Sequence, residues 1–369
     1  MKTKFKYLAL VATALLLGFS NCSNDDETDG NSGNSTPKSV YLKIGNEPTT
    51  YAEGSPVANA TTVGFSSGDL YFVNGSGAIL QHYTLSTAAT SATNINLAAI
   101  QAGELISNLP GSVSAVHVVG NTPALPTSGN ISAVKAAALQ VTSQGAIATV
   151  NLYGTNTLTL VSGNQYTSAI TLKPTVARIE LTDITASGVV TGFQVDGIFV
   201  DNYYSQAAAD GSVLPANLVS NGPSTTAFDD ATTEYPATLK PTIYDWNASG
   251  LGTLTGLVCA PTTAGNVWGY NLFATSTGSA VPRIIIRLSN ITTSDGSTIA
   301  GTQYITIKGF SETGTPLTGI EAGKVYNIGA GNFTFTESDL TITPNLTTID
   351  VTVTVTLATW SVVNITPDI

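Results

Sequence analysis

The firmest limit on the fold comes from the carboxyl end, where Val351, Val353, Val355 and Leu357 alternate with Thr352, Thr354 and Thr356. A period of two is the repeat of a half-buried strand, whose successive side chains point to opposite faces, whereas a helix would scatter these valines around its axis. The same period runs through the chain from residue 40. Val40-Tyr41-Leu42-Lys43-Ile44 alternates, 69–73 is a short apolar run closed by Asn74-Gly75, and 79–85 resumes after it. Asn-Gly between two such runs predicts a hairpin, because both residues tolerate the positive φ that tight turns require. Further strands are expected at 115–119, 146–152, 158–161, 169–172, 176–181, 192–200, 282–288, 303–308 and 332–336, with turns at Asp210-Gly211 and Asp295-Gly296. Helical spacing occurs only at 95–109 and 131–141, both in the first half. Without longer strand and helix alternation a parallel α/β sheet is disfavoured, and the expectation is an all-β fold of sandwiches with a few short helices in the first.

At 369 residues there is room for two domains. A clean alternation, Val176-Ala177-Arg178-Ile179-Glu180-Leu181, restarts just after Pro174, which sets the expected domains at 40–174 and 175–369, closely abutting because no low-complexity linker separates them. Ahead of them, Lys2, Lys4 and Lys6 precede an apolar stretch from Tyr7 to Phe19, too short to span a bilayer and laid out as a secretory signal peptide. The run ends in Leu17-Gly18-Phe19-Ser20-Asn21-Cys22, which resembles the lipobox of bacterial lipoproteins, although Asn21 stands where Gly or Ala is usual. The expectation is a signal peptide over 1–21, a lipid on Cys22, an outer-membrane anchor, and a flexible acidic tether over 22–39. The acids following Cys22 also look like a surface-export signal of Bacteroidetes lipoproteins.

Composition narrows the function. Only 10% of residues are charged, and no basic residue lies between Lys43 and Lys135, so the clustered cations that nucleic acid demands are missing. Cys22 and Cys259 permit no disulfide framework and no zinc site; Cys259, in Gly256-Leu257-Val258-Cys259-Ala260, fits a small buried hydrophobe. Gly64-Phe65-Ser66-Ser67-Gly68 matches a nucleophile elbow, but a strand follows it where a helix is needed, and His82 and His117 are the only histidines. Gly250-Leu251-Gly252-Thr253-Leu254-Thr255-Gly256 imitates a phosphate loop without the flanking strand and helix. No catalytic residue, metal site or cofactor is therefore assigned, and an enzyme is not expected. Tyr203, Tyr204, Trp246 and Trp268 are aromatics that, if exposed, would serve a monomeric surface lipoprotein as platforms for glycan or host protein.

Strand character continues almost to the last residue, with Trp360, Val362 and Ile365 extending the apolar pattern. Such an end needs a pairing partner, either its own domain or a neighbouring subunit. Glu321-Ala322-Gly323-Lys324-Val325-Tyr326-Asn327-Ile328-Gly329, then Phe333-Thr334-Phe335, Asp339-Leu340-Thr341, Pro344 and the Val-Thr alternation resemble the end of the major fimbrial subunit family, the type V pilins or fimbrillins of Bacteroidales. Leu109-Pro110-Gly111, Val116-His117-Val118-Val119-Gly120-Asn121 and Pro174-Thr175-Val176-Ala177-Arg178-Ile179 are similar to that family's earlier segments in the same order.

The resemblance implies two tandem transthyretin-like β-sandwich domains, a surface lipoprotein, and a fimbria built with other subunits for adhesion to host or bacterial surfaces. It implies that a protease removes a first strand, here Val40, Leu42 and Ile44 on its inner face. The groove would be filled by another subunit's donor strand, drawn from Val351, Val353, Val355, Leu357, Trp360, Val362 and Ile365. A stalk subunit is expected, with a lipid-retaining anchor or a tip subunit as alternatives. One departure stands out: the family's stalk subunits are cut after arginine, and the first arginine here is Arg178.

Overall fold

The computed structural model describes residues 36–45, 64–88, 91–146, 149–220, 235, 237–240, 242–275, 281–312, 315–344, 351–354 and 356–359. Cys22, the signal segment, most of the tether, Val355, Trp360, Val362 and Ile365 lie outside them.

Strands dominate, as the alternation requires. Residues 38–174 build two sheets. The first has the order Glu104–Leu109, Lys38–Gly45, Gln165–Thr171, Thr159–Ser162. The second runs Lys173–Pro174, Leu152–Thr157, Val113–Gly120, Ser67–Asn74, Ile79–Ser86, Asn94–Asn96. Val40, Leu42 and Ile44 join Leu70, Phe72, Val116 and Val118 in the buried core, all without solvent exposure. The hairpin after Asn74 forms, yet its positive φ falls at Gly77, and the Asn74 carboxamide closes the turn by accepting from the N–H groups of Ser76 and Ala78.

From Val176 onward three larger sheets follow. One has the order Trp268–Phe273, Val176–Leu181, Lys324–Ile328, Thr356–Thr359. Another runs Gly252–Thr255, Val258–Pro261, Ile184–Ala186, Thr334–Phe335. The third is built on Tyr244–Trp246, Val190–Asp201, Arg283–Thr293, Gln303–Glu312 and Thr315–Pro316, with Val351–Thr354 added beside Gln303–Glu312. Val176–Leu181 is buried at all six positions and not at every second one, because both of its faces are covered. The turns at Asp210-Gly211 and Asp295-Gly296 form with positive φ at each glycine.

Both helical windows shrink. Leu97–Ala102 is helical, started by Asn96, whose carboxamide oxygen accepts from Ala98 and Ala99 N–H, and ended by Gly103 at φ 111°. Residues 104–109 are then claimed as a strand by the Lys38–Gly45 edge, which gains more from a full ladder than the helix would from another turn. Likewise Ile131–Lys135 is a single turn capped by Asn130, and Ala138–Gln140 leaves it to pair with Gln206–Ala208. The strand expected at 146–152 starts only at Leu152. Asn151 is diverted from a ladder: its N–H donates to the Gln144 side chain (2.8 Å), and its carboxamide donates to the Thr175 hydroxyl and the Ala209 carbonyl. The strand expected at 332–336 is only Thr334–Phe335.

A buried polar chain ties the two sets of sheets together. Arg178 Nε donates to Glu180 (2.8 Å) and Nη1 to the Asn271 side-chain oxygen (3.2 Å), and Asn271 in turn donates to the Gln144 carbonyl (2.7 Å). Lys135 and Asp210 add an ion pair at 3.3 Å nearer the surface.

Candidate functional site

The candidate first strand is held along both of its edges. Lys38–Gly45 runs antiparallel to Glu104–Leu109 on one side and parallel to Gln165–Thr171 on the other, so both backbone edges are satisfied by segments far away in sequence. Val40, Leu42 and Ile44 point inward and are fully buried; at roughly 1.5–3 kcal/mol per aliphatic side chain, these three hold the strand by about 5–9 kcal/mol. Its register sets Val40 opposite Ile106 on one side and Ile44 opposite Ile170 on the other, both of them buried. At its outer end Lys38 Nζ donates to the Val113 carbonyl (2.7 Å) and lies 4.4 Å above the Tyr166 ring.

At the other end of the chain, Val351–Thr354 pairs parallel to Gln303–Glu312, and Thr356–Thr359 pairs antiparallel to Lys324–Ile328. The backbone of the candidate donor thus belongs to two sheets of its own half. Among the described residues Thr356–Thr359 occupies the edge of its sheet, paired with Lys324–Ile328.

The catalytic look-alikes come apart. Ser66 and its N–H both donate to Asn121 Oδ1, at 3.2 and 3.1 Å, and the glycine of that motif, Gly68, gives room to Phe65, whose ring a Cβ there would strike. Strand Ser67–Asn74 follows directly. His82 Nε2 is 2.7 Å from Asp69, whereas His117 Nδ1 is 2.8 Å from the Tyr153 hydroxyl. The two rings sit on strands flanking Tyr71, opposite that residue on either side. Burial, with Lys135 adding to it, holds the His117 imidazole down at about 4, neutral at any ordinary pH. Among the described residues no three His, Cys, Asp or Glu side chains gather into a metal-sized group. Gly250 closes a turn on the Asn247 carbonyl and Gly256 joins the hairpin of Gly252–Thr255 and Val258–Pro261, with φ of 97° and 64°, and a strand follows where a phosphate loop needs a helix. Cys259 is buried, and burial pushes its thiol up to about 11, which suits a packing role.

The aromatic platforms fail on exposure: Tyr203, Tyr204 and Trp268 are buried, and Trp246 is half-buried, packed against the core. Their rings are used for packing, as large aromatic surfaces usually are. The feature that sequence patterns did not reveal is the buried Arg178, Glu180, Asn271 and Gln144 chain; its one signal was two opposite charges inside an apolar strand.

No family model matches the chain, and no curated protein matches it in sequence. Solved structures do. A protein of Bacteroides eggerthii assigned to cell adhesion superposes with a TM-score of 0.54 at 14% identity, covering 90% of this chain and 98% of that one. One from Parabacteroides distasonis, also assigned to cell adhesion, gives 0.52 at 12% identity over 89% and 98%. The fimbrilin of Porphyromonas gingivalis gives 0.51 at 16% identity over 89% and 98%. The chain therefore has, over nearly its whole length, the all-β fold of fimbrilin and of these Bacteroidales cell adhesion proteins.

Proposed function

We propose that this chain is a structural subunit of a cell-surface fimbria, with sandwich domains at 40–174 and 175–369, which joins its neighbours by strand exchange and serves adhesion. The observation that carries the reading is the first strand, a single piece with three fully buried side chains and two remote pairing partners. Such a strand leaves as a unit, and an alternating strand such as 351–359 has the pattern to replace it. The fold shared with fimbrilin supports the same reading. In it, Cys22 carries the lipid that brings the precursor to the outer membrane, and the partners are other fimbrial subunits.

The test is assembly. The purified chain from Ser23, treated with a protease that releases the first strand, is expected to give ladders on non-boiled gels, and deletion of Val351–Ile369 to abolish them. Ladders that survive the deletion sink strand donation. Cys22→Ser is expected to stop labelling by a fatty-acid analogue in cells.

A lipid-retaining anchor is the second reading, favoured by the basic residues near the first strand. Residues 45–62 contain no Arg or Lys. Lys38 and Lys43 both lie within the paired strand itself, where a protease cannot thread the backbone without first opening the sheet. The amino-terminal sequence of the protein isolated from fibres separates the two: Cys22 retained for the anchor, a start beyond Gly45 for the stalk.

A further inference from the structure

The first strand is not held evenly along its length. Its antiparallel ladder with Glu104–Leu109 covers 38–42, whereas the parallel ladder with Gln165–Thr171 covers 39–45, so among the described residues Lys43, Ile44 and Gly45 are strand-paired along one edge only. At the opposite end, where the chain enters, both edges are paired, yet the antiparallel one is irregular. Lys38 stands opposite Leu109 and Val40 opposite Ile106, which leaves Ser107 and Asn108 bulged across from Ser39, with Asn108 at a φ of 60°. A bulge interrupts the ladder locally. The backbone of the entering end is secured on its other edge, where the Ser39 N–H donates to the Asn164 carbonyl at 3.0 Å.

A side chain supplies what the bulge withholds. Lys38 Nζ donates to the Val113 carbonyl at 2.7 Å and lies 4.4 Å from the centre of the Tyr166 ring. Tyr166 is on the parallel neighbour, opposite Val40, whereas Val113 begins Val113–Gly120 in the other sheet of the same sandwich. One ammonium group therefore ties the first residue of the strand to both sheets at once. Its acceptor is a backbone carbonyl and not a carboxylate; the one acid on the antiparallel neighbour, Glu104, sits opposite Leu42, towards the far end. A charged donor on a part-buried carbonyl, backed by a ring face, is stronger than an exposed ion pair or a single neutral ladder bond.

We propose that Lys38 is a latch on the first strand, fastening its entering end to both sheets so that the strand opens from Gly45 inwards and its Lys38 end lets go last. A pull transmitted through residues 23–37 bears on the latch first. Resting on the reading that this strand is exchanged, the latch also gives exchange a direction. An incoming strand displaces the Ile44 end first and the Lys38 contact last, and a first strand cut free beyond Gly45 stays docked until a second chain replaces it.

Residue-resolved hydrogen exchange of the chain from Ser23, by mass spectrometry with electron-transfer fragmentation, tests it. In wild type the amides of 43–45 are expected to exchange faster than those of 39–41. Lys38→Met, which keeps the stem and removes the cation with its donors, is expected to speed 39–41 about tenfold and to leave Ser67–Asn74 at its wild-type rate. Lys38→Arg, which keeps a cation and donors, is expected to hold wild-type rates, and Lys43→Met, the same change of charge towards the other end, to leave 39–41 unchanged. Circular dichroism checks folding, and Lys38→Gln is read in the same way should Lys38→Met not fold. The proposal is overturned by 43–45 exchanging more slowly than 39–41 in wild type, by no acceleration in Lys38→Met, or by equal acceleration of 39–41 and Ser67–Asn74. It is overturned as well by Lys38→Arg or Lys43→Met matching Lys38→Met at 39–41. No ladder of subunits enters this readout, so a failure of assembly and a failure of the latch are seen apart.

Discussion

At the scale of single residues, His117 and the Arg178–Glu180 pair bear most on stability. Burial and Lys135 keep His117 neutral down to about pH 4 in the fold, while an unfolded chain takes up a proton near 6.5. Its contribution is therefore complete above about pH 6.5 and is lost as the pH falls from there towards 4, because the unfolded chain binds the proton first. Urea midpoints at pH 7.5 and 5 should drop less in His117→Gln than in wild type; an equal drop would remove His117 as the cause. Arg178 and Glu180 are both almost fully buried, so Glu180→Ala, which strands the guanidinium, is expected to cost about 3–5 kcal/mol in denaturant unfolding. Replacing both, Arg178→Met with Glu180→Leu, should cost less than that single change. None of this was legible from the alternation around Arg178, which suggested a half-exposed strand; the second cover is held through Asn271, 93 positions away, whose carboxamide bonds both Arg178 and the Gln144 and Gly145 carbonyls.

At the scale of elements, period two made most strands legible, and it did so because side-chain burial on one face is a local property of an extended backbone. Helices were misjudged for a non-local reason. Residues 95–109 carry helical spacing throughout, but Gly103 ends the turn so that 104–109 can pair with the first strand, and a Cβ on Gly103 would overlap the Tyr41 hydroxyl of that strand. Gly103→Ala is thus expected to destabilise by at least about 1 kcal/mol through both the clash and its positive φ. Tyr41→Leu in the same chain, which removes the whole ring edge that a Cβ would meet, should recover the steric part but not the cost of the positive φ, and a double-mutant cycle by chemical denaturation measures the coupling. The first strand was legible as a strand from Val40, Leu42 and Ile44; its parallel pairing with 165–171 was not, since nothing in eight residues names a partner so distant.

At the scale of the whole molecule, residues from Thr36 onward form one compact unit although their sheets divide near Pro174. The Gln144, Asn271 and Arg178 chain and the short pairing of 138–140 with 206–208 couple the two sides. Wild type is accordingly expected to melt in one calorimetric transition, and Asn271→Ala, which frees the Gln144 carbonyl and Arg178 Nη1 at once, to broaden or split it. An unchanged single peak would mean that strand pairing and apolar contact alone carry the coupling. Fold class was thus open to sequence reasoning, whereas the join between halves was not, because it is made of amides and carbonyls whose pattern has no period.

The parallel seam of the first strand also sets the order in which the polypeptide can reach this state. The Thr167 hydroxyl donates to the Tyr41 carbonyl although the two lie 126 positions apart, and the parallel edge of 38–45 cannot dock until that much chain has collapsed, whereas its antiparallel edge needs only 104–109. Closing so large a loop is entropically costly, so the parallel pairing is expected to form after the antiparallel one. Backbone amides that pair the first strand with 165–171 are therefore expected to gain hydrogen-exchange protection later than those that pair it with 104–109, which pulse labelling during refolding measures.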